Sequence, residues 1–215
     1  HSNKKDILIQ KELCGEAIRL CKMLLKNKHT KTADVYALFA LMCFHSARLD
    51  AKINTENELL DLKTQDRNKW SFPLIQLGNV MMNKAVETET FSRYHYEAAI
   101  VGEHIKAPNF EQTNWDKILH WYKCLYKLNP SPSYLLTMAV VCLQSENHIK
   151  ANYYFEQINP EDLAQRAYLF YGAKADYFAK MNNKKEAIKF IDLALEKVTN
   201  KLEKEFLEKK KTTFL

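Results

Sequence analysis

The sequence predicts an all-α fold built of antiparallel helical hairpins. Three observations predict it. Glycine and proline are scarce, at four and five in 215 residues. Both residues punctuate tight turns, and an all-β chain of this length would need many more of them. Leu, Ala, Lys and Glu are abundant, which suits long helices joined by short turns. Apolar residues also recur at helical rather than alternating spacing.

The elements follow in order. Leu13, Ala17, Leu20, Cys21 and Leu24 lie at the spacing of a helix with one apolar face. Val35 to Phe44 is apolar almost all round, so this helix is expected in the middle of a bundle, covered on several sides. From Ala51 to Trp70 no helical period survives. Asn54, Thr55, Asn57 and Asp61 are turn-prone there, and a loop of about 20 residues is uncommon in a compact domain. Ser71 reads as an N-cap with Pro73 in the first turn of a helix reaching about Glu87. Ser92 to Lys106 is the next helix, stopped by Pro108 and Asn109. Asn114 caps a helix whose stripe is Trp115, Ile118, Tyr122, Leu125 and Tyr126, ended by Asn129-Pro130. Further helices are expected over Ser133–Ser145, His148–Gln157, Glu161–Lys180 and Lys184–Val198. A last one opens on Asn200 and Glu203, spaced as a capping box.

The C-terminal half repeats. Ala139 and Ala151 are matched by Ala175 and Ala187 at an offset of 36 residues. Phe155 and Ile158 correspond to Ile191 and Ala194. Small residues let two helices approach closely, and the larger ones fill the groove to the next pair. This resembles the tetratricopeptide-type hairpin, whose period is about 34 residues. Such hairpins stacked into a right-handed solenoid would offer a concave face to a partner. Ile118, Tyr122, Leu125 and Pro130 fit the second helix of an earlier, looser repeat. The whole reads as a single helical-repeat domain over 1–215. An irregular part, 1–110, carries the long loop 51–70, and tetratricopeptide-like repeats follow over 111–215.

Composition narrows the function. The net charge is +6, with lysines interleaved among acids as on ordinary solvated helix faces, so it gives no dedicated nucleic-acid surface. The five cysteines form no CxxC, are odd in number and sit in apolar helical patterns, as free core thiols do. That points to a reducing, cytoplasmic setting. No apolar run approaches the ~20 residues that span a bilayer. The histidines show no HExxH and no zinc spacing, so no metal is expected. Gly15, Gly78, Gly102 and Gly172 are isolated, which excludes a phosphate-binding glycine loop. No nucleophile has a motif-level base, and no acid pair shares a predicted cleft. Neither catalysis nor a cofactor is expected.

The informative cluster is Gln65, Asp66 and Arg67 with Trp70, at the end of the long loop. A structural clip would use Asp66 and Arg67 in charge-assisted hydrogen bonds and Trp70 as a plug. A contact surface for another domain would use the same residues. The clip is favoured, because an Arg beside an Asp commonly satisfies a local network. The same choice applies to His45 and Arg48. His45 and His104 read as core imidazoles, with a pH-sensitive contact as the alternative. The Trp115, Trp121, Tyr122 and Tyr126 group could stack on bases, but its helical spacing favours repeat packing. Tyr153-Tyr154-Phe155 reads as repeat core plus rim.

Several segments in order resemble one family. They are Leu13-Cys14-Gly15-Glu16-Ala17-Ile18-Arg19-Leu20, Ala40-Leu41-Met42 with His45-Ser46-Ala47-Arg48, and Gln65-Asp66-Arg67-Asn68-Lys69-Trp70. Then come Tyr96-Glu97-Ala98-Ala99-Ile100 with His104, Thr113-Asn114-Trp115, and Pro130-Ser131-Pro132 leading to Ala139-Val140. Asn200, Glu203, Phe206 and Leu207 close the set. In this order they resemble the C-terminal, tetratricopeptide-like extension of extracytoplasmic-function-type RNA polymerase sigma factors. The chain departs from that pattern at Asn114, where Asp is expected, at Thr137-Met138 in place of Asn-Arg, and at Lys174 in place of Arg. The resemblance implies a regulatory, protein-interaction domain of a bacterial factor that directs transcription initiation. Its partners would be its own sigma domains, core RNA polymerase or a regulator protein. The sigma core and helix-turn-helix domains are not in this sequence. The chain is therefore expected to be part of a longer protein and to meet DNA only through those domains. Gln65, Asp66, Arg67 and Trp70, with His45, Arg48 and His104, are the candidate contacts. The alternatives are a free-standing helical-repeat adaptor and a helical enzyme.

Overall fold

The computed structural model describes residues 2–52, 54 and 60–214; side chains 2–10 and 202 are also outside the description. Thr55 and Asn57, expected to be turn-prone, lie outside it. Among the described residues all regular structure is helical: α1 (Ser2–Lys26), α2 (Ala33–Ala47), α3 (Phe72–Ala85), α4 (Arg93–Lys106), α5 (Trp115–Leu128), α6 (Pro132–Gln144), α7 (His148–Phe155), α8 (Ala167–Lys180), α9 (Lys184–Lys197) and α10 (Lys201–Thr212). Three 3-10 turns, Leu49–Ala51, Arg67–Lys69 and Pro160–Arg166, complete the set. The all-α expectation therefore holds. None of these helices is long and apolar enough to cross a membrane.

The chain divides into two compact units, 1–121 and 122–215. In the first, α2 packs against α1, α3 and α4, as its all-round apolar sequence requires. Thr32 caps it by accepting from the Val35 N–H at 3.4 Å. Phe44 is buried at the centre, in one cluster with Ala40, Leu41, Ala98 and Val101. Gly78 of α3 lies directly against its ring. A Cβ built at Gly78 would fall 2.5 Å from the Phe44 Cε1, so the α2–α3 approach needs a residue without a side chain.

The second unit holds two hairpins, α6–α7 and α8–α9, with α10 on the last. Their connections match atom for atom at the 36-residue offset. Glu146 and Asn182 both adopt left-handed backbone, with φ 57° and 56°. The Asn147 N–H donates to Cys142 O and the Asn183 N–H to Phe178 O, both at 2.9 Å. The Glu146 and Asn182 N–H groups donate to Leu143 O and Ala179 O. This is the paired bonding of a Schellman C-terminus, which satisfies carbonyls at the helix end. Asn147 and Asn183 then cap the following helices, accepting from the Lys150 and Glu186 N–H groups. Ala139, Ala151, Ala175, Ala187 and Ile191 are fully buried, and Phe155 nearly so.

One sequence expectation fails locally. Glu161–Lys180 is not one helix. Ala164 has φ 49° and ψ −124°, which breaks the helical path, and α8 starts only at Ala167. The α10 helix seats Leu207, and the turn after it seats Phe214, in the core of the last hairpin. Its Lys210 and Lys211 pair with Asp176 at 2.5 Å and Asp192 at 2.6 Å.

Candidate functional site

The segment after α2 begins and ends on the same helix terminus. Arg48 is the C-cap of α2, and the Ser71 N–H returns to donate to Ala47 O at 2.8 Å. Between them, among the described residues, the chain makes two 3-10 turns. Asp66 caps the second, accepting from the Asn68 N–H at 3.0 Å.

The sequence-selected residues converge here. The Arg48 guanidinium donates twice to Gln65 Oε1, at 3.2 and 3.3 Å, and Gln65 Nε2 donates to Leu60 O at 3.2 Å. Gln65 is buried, so both ends of its amide are used where water cannot serve them. Arg67 reaches α4: its Nη1 donates to His104 O at 2.7 Å and Ala107 O at 2.9 Å. Those carbonyls belong to the last turn and the C-cap of α4, where the helix leaves acceptors unpaired and its dipole is negative. Trp70, buried, carries both cations on its ring, with Arg67 Cζ at 4.5 Å and Arg48 Cζ at 5.6 Å from the centroid. Arg67 thus serves the C-terminus of α4, Arg48 at the C-terminus of α2 holds Gln65, and the indole lies against both guanidinium groups. Arg67 Nη2 and Trp70 Nε1 are buried without a hydrogen-bond partner.

The charges act on the nearby histidines. Burial, then Arg48 and Arg67, hold the His104 imidazole down at about 4. Its ring meets Trp115 edge-on at 5.5 Å. His45, in the last turn of α2, is exposed. Desolvation of its ring, then Lys52 and Arg48, also lower its pKa, but solvent at this exposed residue screens those charges. Asp66 is occupied as a cap and lies outside any ion pair described for the loop.

Sequence reasoning missed three residues that shape the molecule. His95 is buried: its Nδ1 accepts from the Ser92 N–H at 3.1 Å, so the proton sits on Nε2, which donates to Ala85 O at 2.9 Å. It ties the end of α3 to the start of α4. The detectable signal was Ser92-x-x-His95, a capping-box spacing with His in the acid's place. Lys174 is buried in unit 122–215, paired with Glu156 at 2.9 Å and lying 5.3 Å from the Phe155 ring centroid. Gly78 carried no signal, since its role depends on the Phe44 ring.

The second unit has one further feature, a groove of about 220 Å³ lined by Leu136, Thr137, Val140, Leu163, Arg166 and Leu169. It is mostly apolar, with the exposed Arg166 on its edge. The aromatic groups singled out from sequence are packing residues: Trp115 contacts Phe110 at 4.9 Å, Trp121 contacts Tyr96 at 6.0 Å, and Tyr154 and Phe155 are core while Tyr153 is exposed. None of the five cysteines is joined in a disulfide, and three of them are buried. Among the described residues no group of His, Cys, Asp or Glu is arranged to hold a metal ion.

Residues 1–86 match the model of a family of unknown function (DUF6596). The chain is 29% identical over 200 residues to an uncharacterized protein of Rhizobium meliloti (strain 1021), an alignment covering 93% of this chain and 46% of that protein. The chain thus spans about half the length of the curated relative it matches. No solved structure matches it.

Proposed function

We propose that the chain is a protein-interaction module: the regulatory C-terminal part of a bacterial alternative sigma factor, acting within a longer protein. One observation carries the interaction reading. The two hairpins of 122–215 share one turn geometry, and between them α6, the 3-10 turn Pro160–Arg166 and Leu169 of α8 line a mostly apolar groove that includes the cation Arg166. A shallow groove of that chemistry fits a partner's side chains better than it fits a reacting substrate. The ordered segments named above support the sigma-factor assignment, and the stretch 1–86 contains the Gln65-to-Trp70 cluster among them. In this reading the cluster holds the loop in shape, and recognition uses the surfaces that the loop and the groove present.

The test is a reconstituted transcription assay with core RNA polymerase and the full-length reading frame, with and without residues 1–215. Loss or gain of promoter-dependent transcription on removal, with altered polymerase binding, is the expected result. Unchanged transcription together with unchanged polymerase binding overturns the proposal.

A further inference from the structure

The link between the two repeats is built differently from the turns inside them. Glu146 and Asn182 close their hairpins with the same bonds. The stretch Pro160–Arg166, between α7 and α8, is instead a 3-10 segment broken at Ala164, with φ 49° and ψ −124°. Alanine rarely adopts that backbone, and such strain persists only where the surroundings fix it. The broken turn supplies two side chains to the groove, Leu163 and Arg166. Leu163 and Leu136 of α6 are both 7% exposed and give the groove a dry wall, while Val140 and Leu169 are left more open. Thr137 spends its hydroxyl inside α6, donating to Ser133 O at 2.9 Å.

Among the described residues Arg166 is the one charged group lining the groove. It is exposed and joins no ion pair described for this unit. By contrast, Lys174, Lys197, Lys210 and Lys211 are each held by an acid. Glu161, at the start of the same 3-10 segment, is taken by Lys197 at 3.7 Å. The groove therefore combines a dry apolar wall with a cation whose charge the chain itself leaves unanswered.

We infer that the groove takes a segment of a protein partner in which a Leu, Ile or Val side chain stands within one helical turn of an Asp or Glu. The apolar side chain fills the space between Leu136, Val140, Leu163 and Leu169, and the carboxylate meets Arg166. This rests on the protein-interaction reading above and adds the chemistry of the partner. The volume of about 220 Å³ suits side chains; sites that enclose a whole small-molecule ligand run to roughly 300–1,000 Å³. A guanidinium matches a carboxylate with two parallel hydrogen bonds, so charge complementarity selects an acid. A lone guanidinium suits a side-chain carboxylate, because chain termini are held by nests of backbone N–H groups. One cation is too few to hold a nucleic-acid backbone.

Peptide selection on the full chain tests this. Random dodecapeptides displayed on phage with fused C-termini, so that only side chains offer carboxylates, are selected on the wild-type chain and on Arg166→Glu. The wild type should enrich Leu, Ile or Val beside Asp or Glu, and Arg166→Glu should replace the enriched acid with Lys or Arg. Arg166 is exposed, so the charge reversal reads out without disturbing the fold. The best wild-type peptide, synthesised with blocked ends, should bind Arg166→Glu and Val140→Asp about 10-fold more weakly or worse. No enrichment, or an enriched acid that survives Arg166→Glu, overturns the inference. The interaction reading is then decided separately by the transcription assay, which removes the whole chain.

Discussion

The two units are held by different kinds of bond. In 1–121 the decisive contacts are between residues far apart in sequence: Arg48 to Gln65, Arg67 to the end of α4, and Gly78 against Phe44. In 122–215 the distinctive contacts are local and repeated, with one turn used twice and buried alanines at equal offsets, alongside longer pairs such as Lys210 with Asp176. The first design concentrates stability in a few irreplaceable groups. The second spreads it over positions that have an internal copy.

Substitutions should separate the two designs. The largest effect is expected at Arg67. Arg67→Ala removes two charge-assisted hydrogen bonds and the stacking on Trp70, and should cost about 4 kcal/mol. Arg67→Lys should recover less than half, since one ammonium cannot reproduce the fork that meets both carbonyls. Urea unfolding followed by Trp fluorescence measures both; a cost below 1 kcal/mol for Arg67→Ala would remove the clip from the account.

Acid should strike the same unit next. Folded His104 is held near 4, while an unfolded histidine titrates near 6.5. Between those values the unfolded chain binds more protons, so the stability contributed by keeping His104 neutral is present above about 6.5, falls as pH falls through this window and is gone below about 4. The loss attributable to His104 is up to about 3 kcal/mol. His104→Phe, which keeps an edge towards Trp115, should flatten the stability profile between pH 6.5 and 4.

Gly78→Ala should cost about 2 kcal/mol, because overpacking against Phe44 exceeds the helix-propensity gain of about 1 kcal/mol. Adding Phe44→Leu should recover part of it, giving a coupling of about 1 kcal/mol in a double-mutant cycle. Additive costs would show that the ring and the glycine do not constrain each other.

The smallest effects are expected in the repeats, with opposite sign. Glu146 occupies left-handed backbone that glycine adopts freely, so Glu146→Gly should stabilise by about 1 kcal/mol. Asn182→Gly should gain less than half as much, since asparagine tolerates that region. Equal gains would mean the two turns are not strained in the way their φ values indicate.

The contrast also explains what was legible in the sequence. The hairpins could be read from it because small residues, Asn caps and apolar spacing are local signals that recur. The central position of α2 was legible because a helix apolar all round has nowhere else to go. At the loop, Gln65, Asp66, Arg67 and Trp70 stood out by composition, but their partners did not. The carbonyls of His104 and Ala107 are backbone acceptors, which no residue type marks. Two readings missed for related reasons. On α1, the face expected to be buried included Leu13, Leu20 and Leu24, which are exposed, while Ile18, Cys21 and Leu25 meet α2; amphipathic spacing alone does not tell the two rows apart. The break at Ala164 has no sequence mark, since alanine is the strongest helix former.

The repeated turn has a consequence for how such a chain can be cut and rejoined. The peptide bond after Glu146 and the one after Asn182 are equivalent points: each follows a left-handed residue and precedes an Asn cap. Crossing over from one to the other joins α6 directly to α9. The junction keeps a left-handed residue and an Asn cap. Deleting residues 147–182 is therefore expected to shorten the second unit by 36 residues with the turn geometry at the junction kept.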